Sequence, residues 1–241
     1  MSTDAVEKVT SAGATGSADH AALLFELENV ATDGLQVRLA VAKSLIEKAG
    51  GTFNQLYFIR HALHNRPEIS AAGLIQSCGA KGIDAATFAA KVREGVASKL
   101  ASHASLAPGL EKLIRAASSR GMAVGTISAL PEAVATALMS QLGLDDLGVK
   151  LQVVKEDDDK TFPRADLWIK LVRSLGKAPR ASLVVVASRL GCKSALAAGT
   201  RCLAVPHALC GHEDYGGADL IMDAWDEVSS KEILDVTVPA K

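Results

Sequence analysis

Two glutamates, Glu26 and Glu28, follow the apolar run Ala21–Phe25. Paired carboxylates at the end of a buried strand could supply a nucleophile and a general acid/base, if the strand aims them into a cleft. The plainer reading is a pair of polar residues tolerated where a strand meets solvent or a hydrogen-bond partner. Thr126 and Ser128 close a second apolar run, just ahead of a helical segment. Hydroxyls beside the free amides of a helix start form an anion pocket that needs no metal, and the same residue types serve equally as N-caps. Lys160, after the acidic run Glu156–Asp159, and Arg189 are the candidate charge partners for a bound anion; a solvated, charge-balanced loop explains Lys160 as well. His61, His64 and Arg66 end a predicted helix. They could meet an anionic ligand, or simply complement the helix dipole.

Cys202, His207, Cys210 and His212 pose the question of zinc. Their spacing lacks the C-x2-C or H-x3–5-H pairing of structural zinc sites, and Cys202 falls inside a predicted strand. The expectation is a loop that happens to contain these residues, with no metal assigned. Glycine-rich phosphate loops, serine-nucleophile elbows and CxxC pairs are absent from the sequence. Trp168 and Trp225 read as packing residues.

The elements that must position these groups follow from composition and pattern. The chain has 241 residues, enough for one sizeable α/β core and a smaller second unit. Hydrophobic residues make up 49% but aromatics only 4%, so aliphatic side chains and alanine must fill the core. Helices packed on a parallel sheet suit that balance better than a β-sandwich does. Mean hydropathy is +0.20. With 26 basic and 27 acidic residues the net charge is −1, and no block of like charge suggests a nucleic-acid or anionic-membrane surface. No apolar run reaches the roughly 20 residues that span a bilayer, and residues 1–20 have the composition of a flexible leader rather than a signal peptide. Four cysteines in a chain of this size are expected to be reduced thiols, and a cytoplasmic protein is expected.

Buried strands are predicted at Ala21–Phe25, Met122–Ile127, Leu183–Val186 and Arg201–Val205, with a fifth at Leu220–Met222. Helical patterns lie between them at Pro108–Ser119, Pro131–Leu142, Ala165–Leu175 and Lys193–Ala198, each followed by glycine where a helix end favours a left-handed residue. Pro131 suits a first helical turn. Such alternation predicts a doubly wound parallel α/β sheet. Residues 35–106 break the rhythm with successive helices at Leu35–Lys48, Phe53–His64, Ile69–Cys78 and Thr87–Ser102, the last with Asp84 as its cap region. By position this block is an inserted helical cap, with residues 21–34 and 107–241 forming the core.

Several stretches together resemble the haloacid dehalogenase-like (HAD) superfamily. They are Asp166-Leu167-Trp168, Ser174-Leu175-Gly176, Pro179, Leu183-Val184-Val185, the run from Ser194 to Gly199, Val205-Pro206, and the acidic-aromatic-Gly-Ala-Asp ending between His212 and Ile221. The likeness spans about residues 20–230 and is greatest to the β-phosphoglucomutase-like branch, within it to phosphatases acting on xylulose 1,5-bisphosphate in Rubisco-containing organisms. The resemblance implies a Rossmann-like core, a helical cap and a Mg²⁺-dependent phosphatase site. It also implies where that site's parts should fall. The aspartate nucleophile and acid/base positions hold Glu26 and Glu28. The hydroxyl of the second motif falls on Thr126, with Ser128 nearby. A count back from Asp166 puts the lysine of the third motif at Phe162, with Lys160 two residues early. The metal-binding acidic pair falls on Val186 and Ala187, and Asp33 matches an acidic position that organises the hinge into the cap.

Magnitudes decide what these departures imply. One extra methylene moves a carboxylate by about 1–1.5 Å, and a misplacement of about 1 Å can cost 10²-fold in rate. Replacing both metal carboxylates by hydrocarbon removes what holds Mg²⁺ and with it several kcal/mol of charge stabilisation. The expectation is therefore a HAD-like homologue that has lost Mg²⁺ and catalysis, a pseudoenzyme binding an anionic or phosphorylated small molecule or a protein partner. The alternative is an active hydrolase on a small sugar phosphate using altered, Glu-based chemistry.

Overall fold

The computed structural model describes residues 20–154, 161–225 and 229–237. Its centre is a parallel sheet of six strands in the order β3-β2-β1-β4-β5-β6. The strands are β1 (Ala22–Glu26), β2 (Ala123–Ser128), β3 (Lys150–Val153), β4 (Leu183–Val186), β5 (Arg201–Ala204) and β6 (Leu220–Ile221). β1 and β4 are neighbours at the middle of the sheet and wholly buried, as their unbroken apolar runs require. β3 was not foreseen. It lies at the sheet edge, half exposed, with lysine and glutamine alternating with leucine and valine, so it offers no continuous apolar run to read.

Between β1 and β2 come α1 (Gly34–Lys48), α2 (Gln55–Tyr57), α3 (Pro67–Ser77) and α4 (Ala85–His103), followed by α5 (Leu110–Ser119) leading into β2. The core is completed by α6 (Glu132–Gln141), α7 (Ala165–Ser174), α8 (Arg189–Ala197) and α9 (Ser230–Thr237). Asp84 caps α4 as expected, its carboxylate accepting from the Thr87 amide at 2.9 Å. Gly143 and Gly176 end their helices at φ 67°.

Three expectations need correction. The single helix expected over Phe53–His64 is two pieces, because Asn54 caps α2 through the Tyr57 amide (3.0 Å) and residues Phe58–Ala62 then widen into a π turn closed by Leu63 N–H on the Phe58 carbonyl (2.8 Å). Pro131 is the N-cap of α6, with ψ 141°, rather than a residue of its first turn. α8 begins at Arg189, four residues before the expected start, because Ser188 caps it by accepting from the Gly191 amide at 3.1 Å.

Side-chain alternation along β1 divides the core. Leu23 and Phe25 face a cluster containing Leu110, Leu113 and Leu138 from α5 and α6. Ala22 and Leu24 face Trp168, Leu171 and Cys192 from α7 and α8. Trp168 is fully buried and its indole N–H donates to Ser194 Oγ at 2.8 Å. The inserted helices pack on one another, α4 against both α1 and α3. The chain returns to the core where the Ala107 amide donates to the Ala31 carbonyl at 2.8 Å. No helix among the described residues is long and apolar enough to cross a membrane.

Candidate functional site

In an open α/β sheet the crevice lies beyond the carboxyl ends of the strands where the winding direction reverses. Here that point is between β1 and β4. A cavity of about 490 Å³ opens there, lined by Glu26, Glu28, Asn29, Arg38, His64 and Ser188 among others. Its walls come from β1, the turn after it, the start of α8 and the inserted helices.

Glu26 ends β1 and is 1% exposed. The two-residue period sends it to the α7/α8 face, where one oxygen accepts from Asn29 Nδ2 at 2.8 Å. The other, Oε1, is buried without a hydrogen-bond partner. It lies 2.9 Å from where a Cβ on Gly191 would stand, and Val186 Cβ lies equally close to that point, so α8 can approach only with glycine there. Burial raises the Glu26 carboxyl to about 7, against the Asn29 hydrogen bond and with a contribution from Glu28. Glu28 sits in a π turn, Leu27–Ala31, and accepts the Ala129 amide at 2.8 Å, leaving its second oxygen unpartnered. Burial raises its pKa too, opposed by the Ala129 amide and the Ser128 hydroxyl. Gly34 permits this turn, since a Cβ there would stand 2.2 Å from the Glu28 carbonyl oxygen.

Thr126 and Ser128 do not line the cavity. β2 is registered so that Thr126 pairs with Phe25, which places its side chain on the face opposite Glu26. Its hydroxyl is fully buried and donates to the Phe25 carbonyl at 2.9 Å. The Ser128 hydroxyl, also fully buried, accepts from the Leu130 amide at 3.1 Å. Lys160 lies outside the described residues. Phe162 lines the cavity with its aromatic side chain. Arg189 is engaged through its backbone amide, which donates to Glu213 at 2.8 Å.

The groups between the inserted helices and the core are brought together more tightly than spacing suggested. Asp33 precedes α1 and pairs with His207 Nε2 at 2.6 Å. His64, from the inserted helices, pairs with Glu213 at 2.7 Å. Burial alone would raise Glu213, but the His64 and Arg189 hydrogen bonds bring it below the usual carboxylate value. His61 turns instead to Tyr57, with ring centroids 4.6 Å apart. Of the cysteine-histidine quartet, Cys202 is buried in β5, His207 is held by Asp33, and Cys210 faces His64. The quartet does not converge.

Arg38 is the cavity residue that the sequence reading missed. Its guanidinium donates to the Leu63 carbonyl at 3.1 Å and to the Asn65 carbonyl. Burial lowers its pKa to about 10, partly restored by Glu68, so it remains a cation at neutral pH. The signal was there: Arg38 falls three residues after Leu35 and four before Ala42, on the apolar face of α1.

No family model matches the chain. Protein CbbY of Cereibacter sphaeroides is 29% identical over 154 residues, 62% of this chain and 66% of that protein. Among solved structures, CbbY from Rhodobacter sphaeroides in complex with phosphate superposes with TM-score 0.69 at 18% identity, over 86% of this chain and 95% of that one. A HAD hydrolase of family IA, variant 3, from Entamoeba histolytica HM-1:IMSS gives TM-score 0.70 at 17% identity, over 90% and 98%. The chain is similar in sequence to CbbY and shares its fold with CbbY and a HAD hydrolase. Its sheet and helices are the Rossmann-like HAD fold. The matches span between 37% and 66% of the length of the curated relatives. Within this HAD-like frame, Glu26 and the cavity lie where the strand order reverses, the usual ligand position for such sheets.

Proposed function

We propose that this chain is a HAD-like phosphatase homologue that has given up Mg²⁺-dependent phosphoryl transfer and binds an anionic, phosphate-bearing small molecule in the cavity beside Glu26. The observation that carries this reading is at Glu26: its Oε1 is buried without a hydrogen-bond partner, close against Gly191, and the neighbouring end of β4 presents Val186 and Ala187, which carry no side-chain oxygen. Mg²⁺ demands near-octahedral oxygen coordination. Val186 and Ala187 at the end of β4 are buried and supply no side-chain oxygen, and the Glu28 carboxylate turns to the Ala129 amide. That donor set does not fit the ion.

Carboxyls whose pKa values burial has raised repel an anion less than ordinary ionised carboxylates would. A protonated Glu26 would donate a hydrogen bond, and Arg38 supplies a positive charge to the same cavity. The phosphate held by CbbY in its solved structure is the reason to begin with phosphate as ligand. Inorganic phosphate and a panel of sugar phosphates titrated by calorimetry are expected to bind, with Arg38→Ala weakening affinity about tenfold, as loss of a charge-assisted hydrogen bond implies. No saturable binding would remove the proposal. The competing reading, a working Glu-based hydrolase, is favoured by the names of the relatives. A phosphatase screen with and without Mg²⁺ is expected to stay blank, and turnover abolished by Glu26→Gln would establish that competitor instead.

A further inference from the structure

Three potential ligand atoms meet at the junction between the inserted helices and the core. His64 Nε2 lies 4.0 Å from Cys210 Sγ and 2.7 Å from Glu213 Oε1, and all three atoms lie within 4.8 Å of one another. We propose that His64, Cys210 and Glu213 form a binding site for a borderline-soft divalent cation of the zinc class, distinct from the carboxylate site expected of the fold.

An imidazole, a thiolate and a carboxylate are the donor types that zinc takes, at about 2.0–2.3 Å. Ligand atoms in a tetrahedral site then stand about 3.3–3.7 Å apart. His64 and Glu213 need separate by only about half an ångström, and Cys210 Sγ, 4.0 Å from His64 Nε2, needs to close on that nitrogen by about the same. A thiolate and a carboxylate together neutralise the ion. The donor set is too soft and too small for Mg²⁺.

The core side of the site is held in place by its own hydrogen bonds. Glu213 Oε2 accepts the Arg189 amide at 2.8 Å, which leaves Oε1 turned toward His64 and Cys210. The Cys210 amide donates to the His207 carbonyl at 2.7 Å and the Glu213 amide to the Cys210 carbonyl at 2.9 Å. Tyr215 ties this turn to the end of β4, its hydroxyl lying 3.2 Å from the Cys210 carbonyl and 3.3 Å from that of Ala187.

A His64–Glu213 ion pair alone would clasp the inserted helices to the core, but it has no use for a thiol at its side. Cys210 is fully buried there, beside the Glu213 carboxylate. Since His64 also lines the cavity, a fourth coordination position on that side would be open to solvent or to an anion.

The test uses the full chain, dialysed free of metal and titrated with Zn²⁺ or Co²⁺. One ion per chain is expected, and the Co²⁺ form should show a thiolate-to-metal charge-transfer band. Cys210→Ser should abolish the band, and His64→Gln and Glu213→Gln should each weaken binding about 100-fold, at or above what loss of an outer-shell partner costs. Cys202→Ser and His212→Gln should leave both band and affinity unchanged. Absence of stoichiometric binding, or a band that survives Cys210→Ser, overturns the site. Should Cys210→Ser fail to fold, unchanged Zn²⁺ affinity in both His64→Gln and Glu213→Gln overturns it equally.

Discussion

Glu26 and Glu213 both act on the thiol of Cys210, yet their surroundings drive them in opposite directions. Glu26 ends a buried strand with one hydrogen bond from Asn29 and one oxygen without a partner, and its carboxyl rises to about 7. Glu213 lies in a loop, receives His64 on one oxygen and the Arg189 amide on the other, and falls below the usual value although burial works against it. Burial sets the penalty in both cases; donors decide whether it is overcome. The sheet end stores electrostatic cost, and the helix-core junction relieves it. Stored cost of this kind is common at functional sites.

The largest expected effect comes from disturbing the backbone under Glu28. Gly34→Val would drive side-chain atoms into the Glu28 carbonyl and should destabilise the chain by about 3 kcal/mol or more. Thermal unfolding should show a midpoint lower by roughly 6–12 °C; an unchanged midpoint would mean the π turn relaxes freely.

Next is Glu26→Gln, which should stabilise the fold. The folded-state pKa is raised from 4.5 to about 7. The folded form therefore holds its proton longer than the unfolded chain does, and stability falls as pH rises through that window. The substitution should be neutral at about pH 4 and gain up to roughly 3 kcal/mol by about pH 8, measured by denaturant unfolding at both pH values. A gain independent of pH would show that the carboxyl is not held out of its ordinary range.

Glu213→Ala should do the reverse, at a cost of about 1.5–3 kcal/mol for charge-assisted hydrogen bonds. Because the Glu213 pKa is lowered, that contribution is present above about pH 4.5 and fades as pH falls further. The smallest effect is expected at Thr126. Thr126→Val should cost about 1 kcal/mol for the hydroxyl bonded to the Phe25 carbonyl and leave phosphate affinity unchanged. Phosphate binding that depends on Thr126 would contradict the face assignment of β2.

Legibility of the site followed the range of the forces that build it. Glu26 and Glu28 could be singled out because strand ends are set by local apolar runs. Asp84 as a cap, and glycines such as Gly143 and Gly176 after helices, are likewise decided within a turn. The pairings of His64 with Glu213 and Asp33 with His207 cross sequence separations of 149 and 174 residues, and no periodicity encodes them. Nor could spacing say that Cys210 belongs with His64 rather than with Cys202 and His212.

From its own letters the chain determined the alternation of apolar strands and helices, the helical block after the first strand, and the carboxylates at that strand's end. Those features rest on hydrophobic burial and backbone preference, which act between near neighbours. Tertiary structure alone decided which face each strand residue occupies, because register between β1 and β2 is a relation between segments about 100 residues apart in sequence and fixed by packing on both faces. That register took Thr126 away from the cavity, while packing of the inserted helices carried Arg38 and His64 into it.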